Sequence, residues 1–172
     1  RDLVDWCRLV VERDVDARIV LLGESMGASA AVEAAAERDI PSQVKAVVSD
    51  SAYADLWNEA IYMLSRGVNG KSISPHPVLD IARLVFRGQK CGFDLADANA
   101  EEAAKAARVP LLAIHGADDF MVPPYSARRL ADAAASDHEL LKVDGAGHCC
   151  ASLVDPDAYF SAVLGFAQEH LS

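Results

Sequence analysis

Four short apolar runs set among helix-forming stretches constrain this 172-residue chain more than any other feature. They are "ARIVLLG" (17–23), "VKAVVSD" (44–50), "PLLAIHG" (110–116) and "ELLKVDG" (139–145). Runs with little polar alternation predict strands covered on both faces, as in a parallel sheet. Helix-forming stretches follow three of them: "MGASAAVEAAAERD" (26–39), which stops before Pro41, then "SARRLADAAAS" (126–136) and "DAYFSAVLGFAQEHL" (157–171). At the start of the chain, Leu3, Trp6, Cys7, Val10 and Val11 recur at helical spacing. Strands separated by helices imply right-handed crossovers and a sheet with helices on both faces, so the fold class is α/β.

The segment from Tyr53 to about Asn99 breaks that rhythm. It holds one amphipathic helix around Leu56, Ile61 and Leu64, a turn at "RGVNGKS", and a second helix around "VLDIARLVF". Its length predicts a helical cap inserted in the domain, with ordinary crossover helices as the alternative.

Composition narrows the partners. An apolar share of 52% and a charged share of 24% suit one globular domain. The net charge of −10, with no Lys/Arg block, excludes nucleic acid and anionic membrane surfaces as expected partners and leaves small molecules. No apolar run approaches the roughly 20 residues of a membrane span. Cys7, Cys91, Cys149 and Cys150 have neither zinc-ligand spacing nor the density of a disulfide scaffold, and read as reduced thiols of a cytoplasmic protein. Arg1 stands inside a helical stripe, with no initiator Met and no signal-peptide pattern, which reads as an internal start.

The chemistry centres on "GESMG" (23–27), between the first strand and its helix. A Gly-x-Ser-x-Gly alone occurs by chance in roughly 6% of chains this long, so its context carries the weight. At a sharp strand-to-helix turn, side chains at Gly23 or Gly27 are expected to collide with backbone, and the glycines let the turn close and present Ser25. The helix behind points its first amides, Met26 N–H foremost, at the same spot, where they can stabilise an oxyanion.

A serine hydroxyl needs a base, and the base needs an orienting carboxylate. His138 and His170 sit at polar helix ends, His76 reads as part of a surface loop between two prolines, and His115 reads as structural at the end of the third strand. His148, in "VDGAGHCCAS", lies in a glycine-flexed loop after the fourth strand, at the same strand-end face as Ser25. For the acid, "HGADDFMVPP" offers Asp118 and Asp119. Serine, acid, histidine, each past a strand end, is the chain order of α/β-hydrolases.

With these motifs the chain resembles the C-terminal part of an α/β-hydrolase, in particular the bacterial serine hydrolases related to the Bem46-like and S33 peptidase-like group. "GESMGA", "VVSDSAYADLW", the "PLLAIHGADDFMVP" acid loop and the "GAGH" loop carry the likeness across about residues 18–160. The resemblance implies Ser25 as nucleophile, His148 as general base and acid, and Asp119 rather than Asp118 as the orienting carboxylate, with Met26 N–H in the oxyanion hole. It also implies further strands and a second oxyanion donor upstream, so an upstream segment of the same protein is expected to complete the sheet. The expected activity is hydrolysis of a small-molecule ester or other acyl substrate through an acyl-enzyme, with no metal or organic cofactor. A thioesterase, an acyltransferase, an S33-type peptidase, and a non-catalytic fragment needing its upstream half are the alternatives.

Overall fold

The computed structural model describes residues 1–66, 74–88 and 94–172. In chain order its elements are α1 (Asp2–Arg13), β1 (Ile19–Glu24), α2 (Met26–Ala35), β2 (Val44–Asp50), α3 (Leu56–Ser65), α4 (Pro75–Gly88), a 3-10 turn (Leu95–Asp97), α5 (Ala100–Ala106), β3 (Leu111–Gly116), α6 (Tyr125–Ala133), β4 (His138–Val143), α7 (Ala151–Val154) and α8 (Pro156–Leu171). They divide into two compact units, Arg1–Ala54 with Ala100–Ser172, and Asp55–Asn99.

The first unit is built on a parallel sheet of order β1-β2-β3-β4. Successive strand residues point to opposite faces, and the two central strands feed two cores accordingly. On one face Val47 of β2 and Leu111 of β3 pack with Val4 and Cys7 of α1, the alanines of α2 and α5, and Leu130 of α6. On the other face Ala46 and Val48 of β2, with Leu112 and Ile114 of β3, pack with Tyr159 and Phe166 of α8. Small side chains such as Ala28 and Ala31, both essentially inaccessible, bring the α2 backbone close to the sheet. That closeness fixes where the helix N-terminus sits over the strand ends.

Several boundaries and faces differ from the sequence reading. β1 lies at a sheet edge, and it is not covered on both faces. Among its six residues Leu21 is buried while Leu22 is 54% exposed, and among the described residues no strand pairs with its other side. β4 forms the other edge and is largely exposed or half-buried. In α1 the buried residues are Val4 and Cys7, whereas Trp6 and Val10 are exposed. Helix α2 ends at Ala35, short of the expected 39, and α5 and the four-residue α7 have no counterpart in the sequence reading.

In the second unit the Asp55 carboxylate caps α3 by accepting from Asn58 N–H at 3.0 Å. Helix α3 packs against α4, and the Arg83 guanidinium of α4 lies 5.4 Å from the centre of the Trp57 ring of α3 and pairs with Asp94. Asp94 and Asp97 form a reciprocal capping box around the 3-10 turn. The turn expected at "RGVNGKS", beyond Arg66, and Cys91 lie outside the described residues. Among the described residues no helix is long and apolar enough to cross a membrane.

Candidate active site

Ser25 follows β1 directly and serves as the N-cap of α2, at φ 54° and ψ −122°. A non-glycine residue there is strained, at a cost of about 1–3 kcal/mol, and persists only where its surroundings impose it. Two constraints impose it. Ser25 N–H donates to Asp50 O at 2.8 Å, which ties the turn to the end of β2. Gly23 leaves no room for a side chain: a Cβ there would overlap the Gly27 carbonyl and sit 2.6 Å from Ala28 N. Gly27 differs from expectation, because a Cβ at that position meets no atom within 4 Å. The close approach that lets the turn close is thus made by Gly23 alone.

A second close approach joins the two loops that carry the acid and the histidine. A Cβ on Gly116, the last residue of β3, would overlap the Ala146 carbonyl and lie 2.6 Å from Gly147 O. With that side chain missing, Ala117 N–H reaches Val143 O at 2.8 Å and Asp118 N–H reaches Ala146 O at 2.9 Å. The loop after β4 turns at Gly145, with φ 78°, and at Cys149, with φ 53°. Cys149 N–H donates to Ser51 Oγ at 3.1 Å, and Ser51 Oγ–H donates to Asp50 Oδ1 at 2.9 Å.

These constraints bring three of the sequence-read side chains into one line. His148 Nε2 lies 2.9 Å from Ser25 Oγ, and His148 Nδ1 lies 2.7 Å from Asp119 Oδ2. A carboxylate only accepts, so Nδ1 carries the hydrogen toward Asp119 and Nε2 is left to accept from the serine. Asp119 Oδ1 accepts from Met121 N–H at 2.8 Å and Val122 N–H at 2.9 Å. The Asp119 side chain is fully covered, while that of His148 is 13% exposed. Asp118 is exposed, and its backbone alone joins this region. Met26 N–H begins α2 beside Ser25; as a first-turn amide it lies outside the intrahelical ladder and is free to donate to a ligand.

Reading the sequence missed three contributors. His115, expected to be structural, is 1% exposed and places Nε2 3.1 Å from Asp119 Oδ2. Burial holds its imidazole below the ordinary histidine value, against the opposing pull of the Val122 carbonyl and the Asp119 and Asp50 carboxylates. Asp50 and Ser51 support both the serine turn and the histidine loop. The signal available for them was a polar Ser-Asp-Ser ending on an apolar strand. Burial pushes the Asp50 carboxyl above its usual range, opposed by the Ser51 and Tyr159 hydroxyls. The same burial, with Asp50 and Glu24 nearby, pushes the Cys149 thiol up to about 11. It is therefore almost entirely unionised and a poor nucleophile.

His138 and His170 form no part of this line, and His76 belongs to the second unit. His76 is exposed in the first turn of α4 rather than in a loop, His138 is exposed at the start of β4, and His170 packs edge-on against Phe166. A cavity of about 760 Å³ lies at the far end of α2, lined by Ala35, Pro41, Val44 and Arg108, and includes none of Ser25, Asp119 and His148. Among the described residues no group of three or more His, Cys, Asp or Glu is placed to hold a metal ion.

No protein-family model and no curated protein matches the chain. Solved structures match it in fold. An esterase domain from Rhodothermus marinus aligns with a TM-score of 0.67 at 24% identity, over 99% of this chain and 68% of that one. An esterase from Pyrococcus furiosus gives 0.72 at 19% identity, over 99% of this chain and 62% of that one. An α/β-hydrolase enzyme from a lagoon-sediment metagenome (Mar Chica, Morocco) gives 0.61 at 19% identity, over 96% and 68%. The chain therefore has the α/β-hydrolase fold. It spans between 62% and 68% of the length of these three proteins.

Proposed function

We propose that the chain is a serine hydrolase that cleaves small carboxylic esters through an acyl-enzyme. The observation that carries this reading is the unbroken line Ser25 Oγ, His148, Asp119, with 2.9 Å and 2.7 Å steps, ending on a serine strained at the head of a helix. In the first half-cycle Ser25 Oγ attacks the ester carbonyl while His148 Nε2 takes its proton. The C=O pair moves onto oxygen, and the oxyanion faces Met26 N–H. Its collapse breaks the C–O bond, His148 returns the proton to the leaving alcohol, and the acyl group stays on Ser25. Water then attacks with His148 as base, releasing the acid and restoring the serine. Asp119 keeps the imidazole in the tautomer that can accept from Ser25. Every proton is accounted for between Ser25, His148 and water, so the cycle calls for no metal or organic cofactor.

The names of two of the matched structures, both esterases, support an ester over other acyl groups. The open edge of β1 supports further strands from an upstream segment of the same protein, which would also bring the second oxyanion donor. A panel of p-nitrophenyl esters, acyl thioesters and peptide amides tests the reading. Ester turnover is expected to lead the panel and to fall by about 10⁴-fold or more in Ser25→Ala and in His148→Ala, with circular dichroism unchanged. Unaltered turnover in Ser25→Ala overturns it, and a thioester or amide preference moves the substrate class.

A further inference from the structure

His115 occupies a position that a merely space-filling histidine does not require. Its Nε2 stands 3.1 Å from Val122 O and 3.1 Å from Asp119 Oδ2. Both oxygens only accept, so Nε2 carries the hydrogen, which it donates to Val122 O with Asp119 Oδ2 close beside it. Nδ1 is buried with no hydrogen-bond partner, and a proton there would be left without an acceptor. The ring is thus a neutral donor of fixed tautomer, and burial, which disfavours its charged form, acts in the same direction. The groups that act on it are Val122 O, the Asp119 and Asp50 carboxylates and the His148 imidazole.

The contacts close a small ring. His115 Nε2–H meets Val122 O, Val122 N–H meets Asp119 Oδ1, and Asp119 Oδ2 returns to Nε2. Asp119 then accepts three hydrogen bonds, from Met121 N–H and Val122 N–H on Oδ1 and from His148 Nδ1–H on Oδ2, and the His115 Nε2–H dipole lies beside Oδ2, with Nε2 3.1 Å away. We propose that His115 is a positioning residue for the Ser25–His148–Asp119 line, a neutral second imidazole whose Nε2–H dipole sits beside Oδ2, keeps that oxygen turned toward His148 and offsets part of the carboxylate's charge. With part of its charge taken up by His115, Asp119 holds the Nδ1 hydrogen bond without drawing the proton off His148. This rests on the hydrolytic reading for its kinetic consequence, though the electrostatic consequence for His148 does not depend on turnover.

His115→Leu removes the donor, and His115→Gln keeps an N–H at the end of a side chain of similar reach. In His115→Leu the ester kcat is expected to fall about 10- to 100-fold with KM within about two-fold. The acidic limb of kcat/KM should move up by about 0.5 pH unit or more, because a carboxylate without that neighbouring N–H dipole stabilises imidazolium more. His115→Gln should restore kcat to within about three-fold and return the limb to its place. NMR titration of His148 reads the same upward movement without any substrate, so it still decides the matter if the wild type hydrolyses no ester and the hydrolytic reading itself fails. If His115→Leu does not fold, the Gln variant carries the test, with a His148 titration expected close to wild type. An unmoved His148 titration in His115→Leu, or in a folded His115→Gln a His148 titration displaced by about 0.5 pH unit or more, overturns the proposal.

Discussion

Two carboxylates one residue apart, Asp118 and Asp119, have opposite fates, and the difference lies in the backbone that receives them. Asp119 turns inward, where two amides and two imidazoles meet it, while Asp118 stays exposed. A buried carboxylate with that many donors cannot be exchanged for an amide without leaving donors facing donors. Asp119→Asn is expected to lower ester turnover by roughly 10⁴-fold by forcing the wrong His148 tautomer. Asp118→Asn should leave it within about two-fold. Steady-state kinetics on the two variants checks the assignment, and equal losses at both positions would contradict it. The choice between these acids was open from spacing alone and came from the likeness to known acid loops. His115 was harder to read, because a histidine four residues before an acid acquires meaning only when the strand ends and the chain folds back at Gly116.

At the scale of elements, the turn between β1 and α2 places the nucleophile, and it depends on one of its two glycines. Gly23→Ala drives a methyl group into the Gly27 carbonyl and Ala28 N, and backbone has no rotamer by which to yield. The variant is expected to lose about 2 kcal/mol or more in urea denaturation, with ester turnover lost alongside. Gly27→Ala finds open space and gains helix propensity, so its stability should be unchanged or up to about 1 kcal/mol higher. Matching losses in the two variants would contradict this account of the turn. All four strands and the flanking helices α1, α2, α6 and α8 were legible because apolar runs and helical spacing are local. Which strand lies at an edge is not local: nothing in "RIVLLG" says whether a neighbour covers Leu22. Likewise α1 buries Val4 rather than Trp6, since the sheet decides which side of an apolar stripe is covered. Helix α7, at four residues, is too short to show a period.

At the scale of the whole molecule, the buried groups behind the site give stability an internal pH dependence. Asp50 is inaccessible and its carboxyl is held above the ordinary value of 3.8. The folded state therefore binds more protons than the unfolded one between 3.8 and the raised value, and stability falls as pH rises through that window. His115, held below the ordinary 6.5, works in the opposite sense: the unfolded chain takes up its proton first, and stability falls as pH drops below about 6.5. Asp50→Asn removes the first contribution while keeping an oxygen for Ser51. At pH 8 it is expected to raise stability by about 1 kcal/mol, or roughly 2–4 °C in Tm, with the gain shrinking toward pH 4. Thermal melts across pH would contradict this if the gain were constant or grew on acidification.

An activated serine in a chain of this fold is tested most directly by a fluorophosphonate, which forms a lasting bond only where a serine is deprotonated as it attacks. Intact-mass and peptide analysis of the labelled wild type should find one adduct, on Ser25. Ser25→Ala should take none, and His148→Ala should react at least about 100-fold more slowly. An unlabelled wild-type chain that is folded, or an adduct on a residue other than Ser25, would contradict the claim that Ser25, His148 and Asp119 form a hydrolytic site.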